Sequence, residues 1–84
     1  MVVDDEEDVR TVARDILEDS GFTVLTASDG VEGVETFRLH AQEIVAVVLD
    51  MTMPRMGGEE AFRAMREIRK DVVVLLSSGY NEQD

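Results

Sequence analysis

Six apolar residues, Ile44-Val45-Ala46-Val47-Val48-Leu49, run without interruption into Asp50. A polar-free run of this kind is the pattern of a strand covered on both faces in a parallel sheet, and it constrains the rest of the chain to supply helices that cover it. Asp50 then stands at the carboxyl end of that strand. The run is far short of a membrane span, and no basic segment followed by a long apolar stretch opens the chain.

The flanking sequence alternates strand and helix patterns. Met1 to Val3 is apolar and stops at Asp4-Asp5-Glu6-Glu7-Asp8, which reads as a strand end and an acidic loop. Val9, Val12, Ala13, Ile16 and Leu17 follow at helical spacing up to Ser20-Gly21. Phe22 to Ala27 is rich in β-branched and aromatic residues and predicts a second strand. Asp29, with Glu32 three positions on, predicts a helix cap, after which Val31, Val34 and Phe37 point inward. Beyond Asp50, Met51 to Gly58 is a loop punctuated by Pro54 and Gly57-Gly58, and Ala61, Phe62, Met65 and Ile68 mark a third helix to about Arg69. Val72 to Leu76 is the fourth strand. Such alternation implies right-handed crossovers and an α/β, doubly wound parallel sheet with helices on both faces.

At 84 residues the chain holds one domain at most. Its formal charge of −11 argues against direct nucleic-acid binding, and the absence of cysteine removes disulfides and thiolate metal ligands. Nothing in the sequence directs it out of the cytoplasm, the compartment expected for it.

In a sheet of this class the ligand site lies outside the carboxyl ends of the strands, near the point where strand order reverses. Asp4 and Asp5 end the first strand, Asp50 the third, and Ser77-Ser78 the fourth, so these residues can meet there. Three carboxylates at one rim repel one another, and a divalent cation resolves the conflict. With only oxygen ligands on offer, Mg²⁺ or Mn²⁺ is favoured over zinc. A carboxylate beside such a metal can also be a nucleophile toward phosphorus, and Asp50, alone at the tip of a buried strand, is the candidate. Ser78, which directly precedes Gly79, is suited to hydrogen-bond a phosphoryl oxygen.

Each feature taken alone has a plainer reading. The acidic run suits the first turn of a helix, where the dipole favours negative charge. Asp50 and Ser77-Ser78 suit ordinary turns. Met51, Met53 and Met56 are packing residues beside Pro54 rather than ligands, and His40 is a surface residue at the end of the second helix. Their joint position at three strand ends favours a site.

The residues Val2-Val3-Asp4-Asp5-Glu6, Ala27-Ser28-Asp29-Gly30, Leu49-Asp50-Met51-Thr52-Met53-Pro54-Arg55-Met56-Gly57-Gly58 and Ser77-Ser78-Gly79-Tyr80 resemble, in order, the receiver domain of two-component signalling. The Ser-Gly-Tyr form is most similar to receivers attached to hybrid sensor kinases. The resemblance implies a flavodoxin-like fold with strand order 2-1-3-4. It implies that Asp50 is the phosphoacceptor, Asp5 a direct Mg²⁺ ligand, Asp4 a ligand through water, and the backbone carbonyl of Thr52 a further ligand. It further implies that Ser78 is a switch hydroxyl and that Thr52 and Tyr80 tune hydrolysis.

Receivers have five strands and five helices, with a lysine after the fifth strand that pairs with the phosphoryl group. Lys70, the one lysine here, lies at the end of the third helix on the wrong side of the sheet. The resemblance therefore implies a receiver domain over residues 1–84 that is incomplete at its C-terminus, lacking the fifth strand and last helices. The expected function is that of a self-phosphorylating receiver, rather than a conventional turnover enzyme. It takes a phosphoryl group from a histidine kinase or histidine phosphotransfer domain, switches conformation and slowly hydrolyses the product. Val9, Val12 and Pro54 are the apolar candidates for kinase docking. The exposed edge of the fourth strand is expected to pair with a second copy. The alternatives are a receiver-derived interaction module that has lost phosphorylation and, more remotely, a phosphatase of the haloacid-dehalogenase type. The latter family has a second Asp where this chain has Thr52.

Overall fold

The computed structural model describes residues 1–51, 53 and 56–77. Its elements follow in the order β1 (Val2–Val3), α1 (Glu7–Asp19), β2 (Thr26–Ala27), α2 (Gly30–His40), β3 (Ala46–Asp50), α3 (Gly58–Ile68) and β4 (Val73–Ser77). The four strands form one sheet in the order β2-β1-β3-β4, and every pairing is parallel. Strand order therefore reverses between β1 and β3, the switch point of a doubly wound sheet.

Right-handed crossovers on either side of that reversal send α1 to one face of the sheet and α2 and α3 to the other. α1 packs on β1, and α2 and α3 pack on each other and on β2 and β3. The core lies under α2 and α3. Val3, Ala27, Val47 and Leu49 from the sheet meet Val34, Phe37, Ala61 and Met65 from those helices, all buried. Gly33 allows this close packing, because a Cβ there would stand 3.1 Å from both methyls of Val3.

The face bearing α1 is covered less. No α1 residue is fully buried, and Val12 and Ile16 are 58% and 60% exposed. β3 is thus not the strand covered on both faces that its apolar run predicts. Val47 and Leu49 are sealed, whereas Val45 is 69% exposed and Ala46 and Val48 are half-buried. The reason is that α1 is the single helix over this face among the described residues and turns part of its apolar stripe outward. An open apolar groove of about 680 Å³ remains there, lined by Leu17, Phe22, Leu25, Val45, Val48 and Leu75 among others.

Local chemistry explains the element ends. α1 stops at Gly21, whose φ of 99° is open to glycine. The Gly21 amide donates to the Glu18 carbonyl at 3.0 Å and the Phe22 amide to the Leu17 carbonyl at 3.1 Å, a Schellman closure. α2 starts where expected, with the Asp29 side chain accepting from the Glu32 amide at 2.8 Å. Several boundaries differ from the sequence reading: β1 starts at Val2 rather than Met1, and β3 spans Ala46–Asp50 rather than Ile44 to Leu49. Glu7 and Asp8 belong to the first turn of α1 rather than to the loop. β2 pairs only over Thr26–Ala27, because its partner β1 is two residues long. β4 is shifted by one residue from Val72 to Leu76, running from Val73 to Ser77 in step with the end of β3.

Candidate functional site

The carboxyl ends of β1 and β3 adjoin at the switch point, Val3 pairing with Leu49, so the next residue on each strand, Asp4 and Asp50, falls at one rim. One carboxylate oxygen from each of Asp4, Asp5 and Asp50 lies within 4.8 Å of the others. The three differ in environment: Asp5 is exposed, Asp4 half-buried and Asp50 only 5% exposed.

The loop carrying Asp4 is held from several sides. The Asp4 amide donates to the Ala27 carbonyl of β2 at 3.1 Å. Its Oδ1 accepts from the Glu6 amide at 2.9 Å, which turns the chain into α1. Its carbonyl accepts from Nη1 of Arg10 at 2.7 Å. Sequence reasoning missed Arg10, since a side-chain contact to a backbone carbonyl six residues back leaves no pattern of its own.

Asp50 is held by close backbone packing. A Cβ on Gly58 would come within 2.5 Å of the Asp50 carbonyl oxygen, and one on Gly30 within 2.3 Å of the Met56 carbonyl oxygen. Asp50 and Met51 therefore lie against the first turn of α3 and Met56 against that of α2, at two positions where no larger residue fits unshifted. The Met51 amide donates to the Ser77 carbonyl at 2.8 Å and so ties the start of this segment to the end of β4.

Ser28 and Glu32 close the adjoining turn. The amide and hydroxyl of Ser28 both donate to Glu32 Oε1, at 2.7 Å each. The Ser28 hydroxyl and then its amide hold the Glu32 carboxyl below the ordinary glutamate range, with a smaller contribution from the positive charge of Arg10.

Of the site residues expected from sequence, Asp4, Asp5 and Asp50 come together at one rim. Thr52, Ser78 and Tyr80 lie outside the described residues, as do Pro54 and Gly79. His40 ends α2, where its Nδ1 lies 3.1 Å from Glu43 Oε1, away from the acid cluster. No helix among the described residues is long and apolar enough to cross a membrane.

A doubly wound parallel sheet in the order 2-1-3-4, with three acids at its switch point, defines the class as the flavodoxin-like α/β proteins, which keep their ligand site outside the strand ends. Within that class the chain belongs to the response regulator receiver domain family, which matches residues 1–84, and it is therefore a receiver domain of two-component signalling. It is 47% identical over 77 residues to a protein-glutamate methylesterase/protein-glutamine glutaminase of Natronomonas pharaonis, covering 89% of this chain and 21% of that protein. It is 35% identical over 82 residues to the sensor kinase CckA of Brucella abortus, covering 98% of this chain and 9% of the kinase. Among solved structures it resembles one described as the CheX-CheY-BeF3-Mg complex from Borrelia burgdorferi. There the TM-score is 0.86 at 33% identity, over 89% of this chain and 57% of that one. The chain thus spans a small part of the two full-length relatives.

Proposed function

We propose that this receiver domain accepts a phosphoryl group on Asp50 in a Mg²⁺-dependent reaction and passes the event on as a change of surface. The observation that carries the reading is the convergence of the Asp4, Asp5 and Asp50 carboxylates within 4.8 Å at the switch point. Two carboxylates at that separation repel by about 1 kcal/mol in water and about 3.5 kcal/mol at an effective dielectric constant near 20. A donor set of hard oxygens with surplus negative charge fits Mg²⁺ or Mn²⁺. Asp5 would hold the ion directly, Asp4 through water, and Asp50 and the Thr52 carbonyl would complete the protein's share. When bound, the ion would neutralise charge on the phosphoryl group in transfer.

The chemistry at the chain's own atoms is then simple. An Asp50 oxygen attacks phosphorus, an acyl phosphate bond forms, and the P–N bond of a phosphohistidine breaks, its nitrogen leaving with the electron pair. The rigid packing of the Asp50 backbone against Gly58 supports this role, because a nucleophile fixed in place loses less entropy on reaching its attack geometry. In this reading Ser78 hydrogen-bonds the phosphoryl group, and Thr52 and Tyr80 tune its hydrolysis. The donor is a histidine kinase or histidine phosphotransfer domain, the setting is cytoplasmic, and the acting unit is a receiver spanning residues 1–84. Docking falls to the exposed Val9 and Val12 of α1, 43% and 58% exposed, together with Pro54. Two copies pair through the edge of β4.

The test is transfer of labelled phosphate from a phosphorylated histidine phosphotransfer domain to the wild-type chain and to Asp50→Asn. Acid-labile, base-labile label on the wild type alone supports the reading. Equal labelling of both chains, or of neither while Mg²⁺ still binds, overturns it and leaves an interaction module.

A further inference from the structure

We propose that Arg10 is a positioning residue of the metal site, fixing the Asp4-Asp5 segment in the conformation that presents both carboxylates to the cation; the inference rests on the function proposed above. Arg10 lies in the first turn and a half of α1, and its own amide makes an early helical bond to the Glu6 carbonyl at 3.1 Å. Its side chain then folds back over the loop that precedes the helix, half-buried, so that Nη1 donates to the Asp4 carbonyl at 2.7 Å. A charge-assisted bond of this length is among the stronger contacts a side chain makes.

Asp4 is thereby held at each of its polar backbone and side-chain functions used in the fold: amide to β2, Oδ1 to the Glu6 amide, carbonyl to Arg10. Of these three ties, the one from Arg10 alone comes from a donor that substitution can remove without touching the backbone. It also constrains the next residue, since the Asp4 carbonyl belongs to the peptide plane that leads into Asp5. The positive charge of Arg10 reaches Glu32 in the first turn of α2 as well, which links the acid loop to the neighbouring rim.

The charge and the contact act in opposite directions on a bound cation. A guanidinium near the site repels Mg²⁺, so its removal alone would tighten binding. Loss of the hydrogen bond frees the Asp4-Asp5 segment and loosens binding, as removal of contacts that orient metal ligands does. Fixation is the larger effect, because the side chain is spent on a backbone carbonyl rather than aimed at the carboxylates, and Asp5 is exposed, so its placement follows that of the Asp4 peptide.

The experiment is Mg²⁺ titration by calorimetry of the 84-residue chain and of Arg10→Ala and Arg10→Gln, with amide hydrogen exchange on the metal-free proteins. Arg10→Ala should weaken Mg²⁺ binding about tenfold. Arg10→Gln, which keeps an N–H donor without the charge, should recover most of that loss. Metal-free Arg10→Ala should exchange faster at the Asp4 and Glu6 amides, with Val48 and Leu49 unchanged. Tighter Mg²⁺ binding in both variants would mean that charge dominates and would overturn the inference. If the wild type binds no Mg²⁺, the proposed function fails separately, and unchanged exchange at Asp4 and Glu6 in Arg10→Ala would still overturn the positioning role.

Discussion

Asp50 and Ser77 stand opposite one another as the last paired residues of β3 and β4. The ladder continues one step past them, through the bond from the Met51 amide to the Ser77 carbonyl. The buried acid and the end of the neighbouring strand are therefore locked in register, and a one-residue slip would turn Asp50 away from the rim.

Because the backbone of Asp50 and Met51 lies close against Gly58, Gly58→Ala is expected to be costly. The new Cβ meets the Asp50 carbonyl oxygen at 2.5 Å and the Met51 Cα at 2.8 Å, both backbone atoms that cannot swing aside. Urea unfolding should show a loss of about 1–3 kcal/mol, the range of overpacking. A neutral result would mean that the β3–α3 junction yields easily and does not fix Asp50.

The crowding of Asp4, Asp5 and Asp50 predicts opposite effects of Asp50→Asn with and without metal. Without Mg²⁺ the variant should be more stable than the wild type by about 1 kcal/mol, since repulsion is relieved. With Mg²⁺ at a hundred times the dissociation constant, the wild type should gain about 2.7 kcal/mol and the variant much less. Thermal melts with Mg²⁺ and with a chelator check both signs.

The β2–α2 turn predicts a pH dependence. The Glu32 carboxyl is held below its ordinary range by the Ser28 hydroxyl and amide, so its contribution is full above the ordinary glutamate value and fades as pH falls through the lowered one. Glu32→Gln should cost about 0.5 kcal/mol at neutral pH, as an exposed hydrogen-bonded charge does, and the difference should vanish in acid. A difference that persisted in acid would show that the contact does not depend on the charge.

β4 has β3 as its one paired neighbour among the described residues, and its Val73, Leu75 and Leu76 are 55%, 60% and 49% exposed. An apolar edge of this kind predicts self-association, reduced by Leu75→Lys. Light scattering should give a dimer or larger species for the wild type and a smaller mass for the variant. A wild type that is monomeric at working concentration contradicts it.

Much of this was legible in the sequence for identifiable reasons. The run into Asp50 and the alternating periods encode the parallel sheet, and the Asp29–Glu32 spacing encodes a cap that forms as expected. The convergence of Asp4, Asp5 and Asp50 followed from strand ends alone. What escaped depends on tertiary partners. The length of β2 is set by the short β1 beside it, and the exposure of Val45 is set by how α1 lies on the sheet. Glu7 and Asp8 joined α1 because acidic residues suit a helical first turn as well as a loop. The contact from Arg10 to the Asp4 carbonyl needs the geometry of a finished turn.

The most direct measurement is intact-mass spectrometry after incubation with acetyl phosphate, comparing the wild type with Mg²⁺, the wild type with chelator, and Asp50→Asn with Mg²⁺. A single phosphoryl adduct is expected on the wild type with Mg²⁺ and none on the other two. An adduct that survives Asp50→Asn or chelation, or its absence from a folded, Mg²⁺-loaded wild type, would contradict the proposed function.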